Sequence, residues 1–160
     1  MDLWYTEEHT KNVRFSIAID RHLVTEQSYY QRIDVFQSVE FGRILALDGY
    51  LMVTEKDEFI SHLSSFIGAD AEKMITHVAM ATNLKAKNIL VIGAGDGGTI
   101  RELTKYPFIE NIDMVEIDEK VVEVCKQYLP QTASKLDDPR VHIYYEDGLR
   151  FVRRKQNEYD

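Results

Sequence analysis

Two features of the sequence predict an α/β chain in which a small N-terminal antiparallel β module is followed by the first half of a Rossmann-like, doubly wound domain. Between Val13 and Val53, apolar and polar positions alternate around an Asp48-Gly49 turn, the pattern of short antiparallel strands. From Asn88 an apolar, β-branched run enters Gly93-Ala94-Gly95-Asp96-Gly97-Gly98, and a second run, Asn111 to Glu116, ends in acid roughly twenty residues further on. That spacing is the mark of a nucleotide-binding βαβ unit. The division falls near Thr54, which gives expected domains of residues 1–54 and 55–160.

In the first part, Val13, Phe15, Ile17 and Ile19 mark one strand, and Ile33, Val35 and Val39 mark another before the Phe41-Gly42 turn. Ile44 to Leu47 and Tyr50 to Val53 form a hairpin, because Asp-Gly supplies the positive φ values that a tight turn needs. Thr54 with Asp57 three residues later fits a helix cap, opening a helical stretch through Phe59, Ile60 and Leu63. A second helix start at Asp70 precedes Met74, Ile75 and Val78.

In the βαβ unit, Gly93 and Gly95 allow a sharp turn and close approach of the backbone to a ligand. Ile100 and Leu103 give the next helix its buried side, and Pro107 ends it after Tyr106. Glu116 is placed to accept hydrogen bonds from both hydroxyls of a ribose. Asp118 caps a helix from Glu119 to Leu129 that Pro130 terminates, and a polar loop through Asp137-Asp138-Pro139 leads to a strand from Val141 to Tyr145. Asp147, in Glu146-Asp147-Gly148 at the carboxyl end of that strand, is a candidate for the adenine amino group. A short helix, Leu149 to Lys155, follows. A doubly wound sheet would continue past Asp160, so the chain reads as truncated at its C-terminus.

Asp96 decides the ligand class. A carboxylate inside a phosphate-cradling turn repels pyrophosphate, so the loop expects positive charge instead. A sulfonium nucleoside of the S-adenosyl type meets that requirement.

The net charge of −8 argues against nucleic acid or an anionic membrane as partner and suits a cationic small molecule. Cys125, the single cysteine, falls in a helical pattern with Val121, Val122 and Tyr128, so it reads as packing rather than part of a disulfide framework. No apolar run approaches the ~20 residues of a membrane span, and the N-terminus lacks a basic-then-apolar leader, so the cytoplasm is the expected location. His9, His22, His77 and His142 lack metal-ligand spacing and read as surface or satisfied core residues.

Several motifs together resemble the spermidine synthases, the putrescine aminopropyltransferases. They are Leu45-Ala46-Leu47-Asp48-Gly49, Thr54 to Ile60, Gly93 to Gly98, Val115-Glu116-Ile117-Asp118, Leu136 to Arg140 and Glu146-Asp147-Gly148, in the family's order from Leu3 to Asp160. The resemblance implies transfer of an aminopropyl group from decarboxylated S-adenosylmethionine, a co-substrate, to putrescine, giving spermidine and methylthioadenosine with no prosthetic group. It implies that Gln31 contacts the methylthioadenosine part, that Asp96 holds a cationic amine, that Glu116 binds ribose and that Asp147 with Gly148 forms the adenine-side turn. Asp118 is read as a helix cap. His62 stands at the family's diamine-contacting histidine, although Ser61 replaces a tyrosine and the segment from Ser61 to Lys73 intervenes before Met74. The family's general base is an aspartate at the end of the next strand, past Asp160, so no residue here is assigned the catalytic role. The family's β module is used for dimers or tetramers, which implies a homodimer or homotetramer.

Two other readings stay open. The βαβ logic is shared by S-adenosylmethionine-dependent methyltransferases, and fold alone does not separate the two chemistries. A chain with half a sheet also fits a non-catalytic, oligomerising fragment, since exposed strand edges favour association.

Overall fold

The computed structural model describes residues 3–56, 69–155 and 158–160. These fall into two compact units, Met1–Ala71 and Glu72–Asp160.

In the first unit the described residues up to Thr54 form strands and turns alone. Strands β1 (Leu3–Thr10) and β2 (Val13–Ile19) form an antiparallel hairpin. Strands β3 (Arg21–Gln27), β4 (Arg32–Ser38), β5 (Gly42–Leu47) and β6 (Tyr50–Thr54) form an antiparallel sheet in the order β3-β4-β5-β6. Tyr5, Ile17, Phe41, Ile44, Ala46 and Leu51 make its core, with Phe15, Ile19 and Phe36 packed against them. The β5–β6 hairpin turns where the sequence indicates, with Asp48 at φ 50° and Gly49 at φ 83°, the left-handed pair of a tight primed turn.

Three details of this unit differ from the sequence reading. Strands β1 and β3 went unanticipated, because Glu7 occupies an inward position of β1 and β3 is largely exposed. Val39 lies past the end of β4, in the turn to β5. Thr54 is the last residue of β6, paired with Ile44, rather than the cap of a helix. Asp57, Phe59, Ile60, Ser61, His62 and Leu63 lie outside the described residues.

The second unit starts with helix α1 (Ala69–Thr82), close to the start expected at Asp70. Strand β7 (Asn88–Ile92), helix α2 (Gly98–Leu103), strand β8 (Asn111–Glu116), helix α3 (Glu119–Tyr128), a 3-10 turn at Ala133–Lys135, strand β9 (Val141–Tyr145) and helix α4 (Gly148–Arg154) follow. The sheet is parallel, in the order β7-β8-β9. Ile100, Leu103, Ile112, Met114, Val121, Val122, Cys125 and Phe151 are buried around it. Asp160 donates its N–H to Asn88 O and accepts from the N–H groups of Lys87 and Asn88, so residues 158–160 meet the edge of β7 that β8 does not cover.

Helix α2 is shorter than the sequence suggests. It ends at Leu103 rather than after Tyr106, because Lys105 and Tyr106 donate to Glu102 O and Leu103 O in tight i to i−3 turns. Pro107 therefore follows a frayed turn, not the helix itself. Arg140 then fastens this connection, donating to Thr104 O, Tyr106 O and Ile109 O while Asp138 accepts from its Nε and Nη2.

Candidate nucleoside-binding site

The carboxyl ends of β7, β8 and β9 come together at the glycine loop. Gly93 donates to Val115 O at 2.8 Å, fixing the loop's entry to the end of β8. The chain then runs left-handed through Gly93 (φ 86°) and Ala94 (φ 68°), and again at Gly97 (φ 87°). Only the first and last of these are glycines, so Ala94 carries the backbone strain.

Gly95 is needed for a different reason from the one its motif suggests. Its φ is not in the left-handed region, but a Cβ there would lie 2.9 Å from Glu116 Oε2 and 3.0 Å from Val121 Cγ1. The protein itself crowds Gly95. Gly148 behaves similarly, since a Cβ would come within 2.5 Å of Ile92 Cγ2, which brings the turn after β9 against the end of β7.

Glu116 ties the loop to the sheet. Its Oε2 accepts from Gly95 N–H at 3.1 Å and its Oε1 from Asp118 N–H at 3.1 Å, while its backbone carbonyl accepts from Glu146 N–H. A carboxylate offers about four acceptor positions, so two are still available to ligand hydroxyls. Asp96 is anchored by one oxygen, Oδ1, which accepts from Gly98 N–H at 2.8 Å. The charges of Asp96 and Glu116 both reach Cys125, whose thiol is pushed well up, first by burial and then by those two acids. The two carboxylates thus share one neighbourhood.

Asp118 is the cap expected, accepting from Lys120 N–H at 3.1 Å at the start of α3. Asp147 is also a cap: its Oδ1 accepts from Arg150 N–H at 2.8 Å at the start of α4. Beside it, Glu146 pairs with Arg154 at 2.6 Å. Burial, followed by the charges of Glu119, Glu123, Asp137 and Glu116, raises the Tyr145 hydroxyl, another sign of the negative field at this edge.

Of the residues indicated by sequence, Gly93, Gly95, Asp96, Glu116, Asp147 and Gly148 thus lie at the carboxyl ends of the parallel strands. Gln31 belongs to the N-terminal unit, in a turn before β4 where its N–H donates to Ser28 Oγ. Among the described residues, no group of three His, Cys, Asp or Glu could hold a metal ion, and no helix is long and apolar enough to cross a membrane. A separate cavity of about 450 Å³ between α1 and β7 is lined chiefly by apolar residues, among them Ile75, Met80, Ile89 and Leu103, with Asp160 but without Asp96, Glu116 or Asp147.

Sequence reasoning missed one network. Glu102, 1 % exposed, accepts from Arg101 Nε and Lys105 Nζ, with His77 Nε2 at an ion-pair distance of 3.2 Å, and His77 Nδ1 meets Tyr106 Oη at 2.6 Å. Burial pushes the Glu102 carboxyl up, but the hydrogen bonds from Lys105 and Arg101 outweigh it and hold the group below the ordinary glutamate value. His77 is satisfied, as its lack of metal spacing suggests, but nothing in Arg101-Glu102-Leu103 marks the middle residue as buried.

Known proteins match along the whole chain. Residues 69–160 match the spermine/spermidine synthase domain and residues 3–55 the spermidine synthase tetramerisation domain. A polyamine aminopropyltransferase of Alkaliphilus oremlandii is 68 % identical over 160 residues, all of this chain and 53 % of that protein. One of Clostridium botulinum strain Eklund 17B is 66 % identical over the same span, again 53 % of its length. The crystal structure of spermidine synthase from Thermotoga maritima superposes with a TM-score of 0.89 at 40 % identity, covering 99 % of this chain and 52 % of that one. A spermidine synthase in complex with the transition-state analogue AdoDATO superposes with a TM-score of 0.88 at 40 % identity, covering 99 % of this chain and 51 % of that one. The chain spans about half the length of the curated relatives it matches.

Proposed function

The chain belongs to the spermine/spermidine synthase family, and from that premise we propose that it supplies the nucleoside-binding part of an aminopropyltransferase. The reaction moves an aminopropyl group from decarboxylated S-adenosylmethionine to putrescine in the cytoplasm, giving spermidine and methylthioadenosine. The observation that carries this reading is the pair of acids, Asp96 within the glycine loop and Glu116 on the next strand, which share one neighbourhood where a dinucleotide site would receive a phosphate.

A sulfonium makes its neighbouring methylene electrophilic. The neutral nitrogen of putrescine attacks that carbon, a C–N bond forms, the C–S bond breaks and the electron pair stays on sulfur as the thioether of methylthioadenosine. The nitrogen's extra proton goes to a carboxylate base, which the resemblance places past Asp160. Catalysis is then mostly orientation and charge placement.

Each residue of the site has a share in that work. Glu116 takes the ribose hydroxyls on the lone pairs not used by Gly95 and Asp118. Asp96 Oδ2 faces an ammonium while Oδ1 is held by Gly98. Asp147, with one oxygen on Arg150, has the other for the adenine amino group, and Gly148 leaves room beside Ile92. Gln31 would contact the methylthio side and His62 the diamine. The β module makes a homotetramer, in keeping with the tetramerisation domain that residues 3–55 match.

The protein as its gene encodes it, incubated with decarboxylated S-adenosylmethionine and putrescine, should release methylthioadenosine and spermidine in equal amounts by chromatography. Methyl transfer from intact S-adenosylmethionine without aminopropyl transfer would overturn the proposal in favour of a methyltransferase.

A further inference from the structure

We propose that His77 is a positioning residue for the amine-binding end of the site, setting the place of Asp96 through helix α2. The inference rests on the function proposed above and adds a residue that lies outside the glycine loop.

Helix α2 has six residues and carries the site at its first one: Gly98 N–H holds Asp96 Oδ1 at 2.8 Å. A helix this short has little stability of its own, so its place is set by what grips it. Helix α1 grips it at both ends. At the near end, the Glu72 carboxylate fills the space where a Gly98 Cβ would stand and pairs with Arg101 Nη2 at 3.4 Å. At the far end, His77 Nε2 lies 3.2 Å from Glu102 Oε2.

The His77 ring is itself oriented. Tyr106 Oη meets Nδ1 at 2.6 Å, which leaves Nε2 on the side of Glu102, 3.2 Å from Oε2, an ion-pair distance. The contacts Tyr106–His77–Glu102 therefore join α1, the end of α2 and the turn before Pro107. Because Glu102 is almost wholly buried, the cations around it, Arg101 and Lys105 as donors and His77 at ion-pair distance, cannot be replaced by water without cost.

Glu116 meets the loop through the Gly95 N–H alone and is otherwise held by its own strand and by Asp118. It stands on β8, whose register is set by β7 and β9. Loosening α2 should move the amine-holding acid and leave the ribose-holding acid in place. A merely structural histidine would not separate the two.

The test is calorimetric, on the protein as encoded, with two ligands: methylthioadenosine, which has ribose and adenine but no amine, and decarboxylated S-adenosylmethionine, which has all three. His77→Ala should weaken the second by about tenfold while leaving the first within about twofold. Tyr106→Phe, which keeps the ring and removes only the hydroxyl, should shift the same ratio in the same direction by a smaller factor, and serves if His77→Ala does not fold. Equal loss of both ligands, or no change in the ratio in either variant, overturns the role of His77. A wild-type protein that binds neither ligand instead overturns the reading of the site.

Discussion

Each carboxylate oxygen of Glu116 accepts a backbone N–H, from Gly95 on one side and from Asp118 on the other, before any ligand arrives. Replacing it with glutamine leaves one oxygen and turns an NH₂ group against a backbone donor. Glu116→Gln should therefore lower affinity for methylthioadenosine by about tenfold to a hundredfold, the range of about 1.5–3 kcal/mol for hydrogen bonds to a charged group. Calorimetry with the nucleoside checks it, and unchanged affinity would remove Glu116 from the ribose site. The placement of Asp96 in the turn after β7 and of Glu116 at the end of β8 was legible in sequence because an apolar run, a glycine-rich turn and a second apolar run mark strand, turn and strand. Glu102 and His77 were not, since Arg101-Glu102-Leu103-Thr104-Lys105 reads equally well as a solvated helix face with an i to i+3 ion pair. Burial of Glu102 comes from α1, whose position no local pattern encodes.

Elements in the second unit follow their capping signals closely. Asp118 and Asp147 both accept from the first turn of the helix they precede, and Asp118→Ala should cost about 1 kcal/mol of stability in urea unfolding. Gly97 is less forgiving: at φ 87°, with a Cβ 2.9 Å from Ala133 Cα, Gly97→Ala should cost at least about 2 kcal/mol in the same measurement. An unchanged midpoint would mean that the loop can leave its left-handed turn.

The connection after α2 carries a pH signature. The hydrogen bond from the Arg140 side chain holds the Asp138 carboxyl below the ordinary aspartate range, with the Arg140 backbone and charge adding to it. A depressed carboxylate stabilises the fold above its unfolded value, about pH 4, and loses that contribution as the pH falls through the folded value. The stability difference between wild type and Asp138→Asn should therefore be full at pH 6 and shrink below about pH 4. A difference constant across that range would contradict the pairing. The strands missed in the first unit have a common cause. Inward Glu7 is buried because Leu51 N–H and His9 satisfy it, so a position that periodicity treats as outward belongs to the core. Strand β3 is an edge, and edges need no apolar alternation.

For the whole molecule, sequence order alone established the antiparallel module followed by a parallel βαβ sheet, because hairpin turns and glycine-rich crossovers fix strand direction locally. The assembly of copies is a surface property, and it was read from family resemblance instead. Static light scattering on the protein as encoded should give about four times the mass of one chain, and a monomer would contradict the proposed tetramer. Net charge of −8 gives the molecule a general attraction for polyamines, and the proposed site assigns the choice among cationic nucleosides to Asp96 and Glu116. The measurement that bears on this most directly compares decarboxylated with intact S-adenosylmethionine by calorimetry, in wild type and in Asp96→Asn. The account predicts that wild type prefers the decarboxylated molecule by at least about tenfold and that Asp96→Asn erases most of the preference, because the extra carboxylate of the intact molecule would meet a carboxylate. Preference for intact S-adenosylmethionine, or a preference untouched by Asp96→Asn, would contradict it.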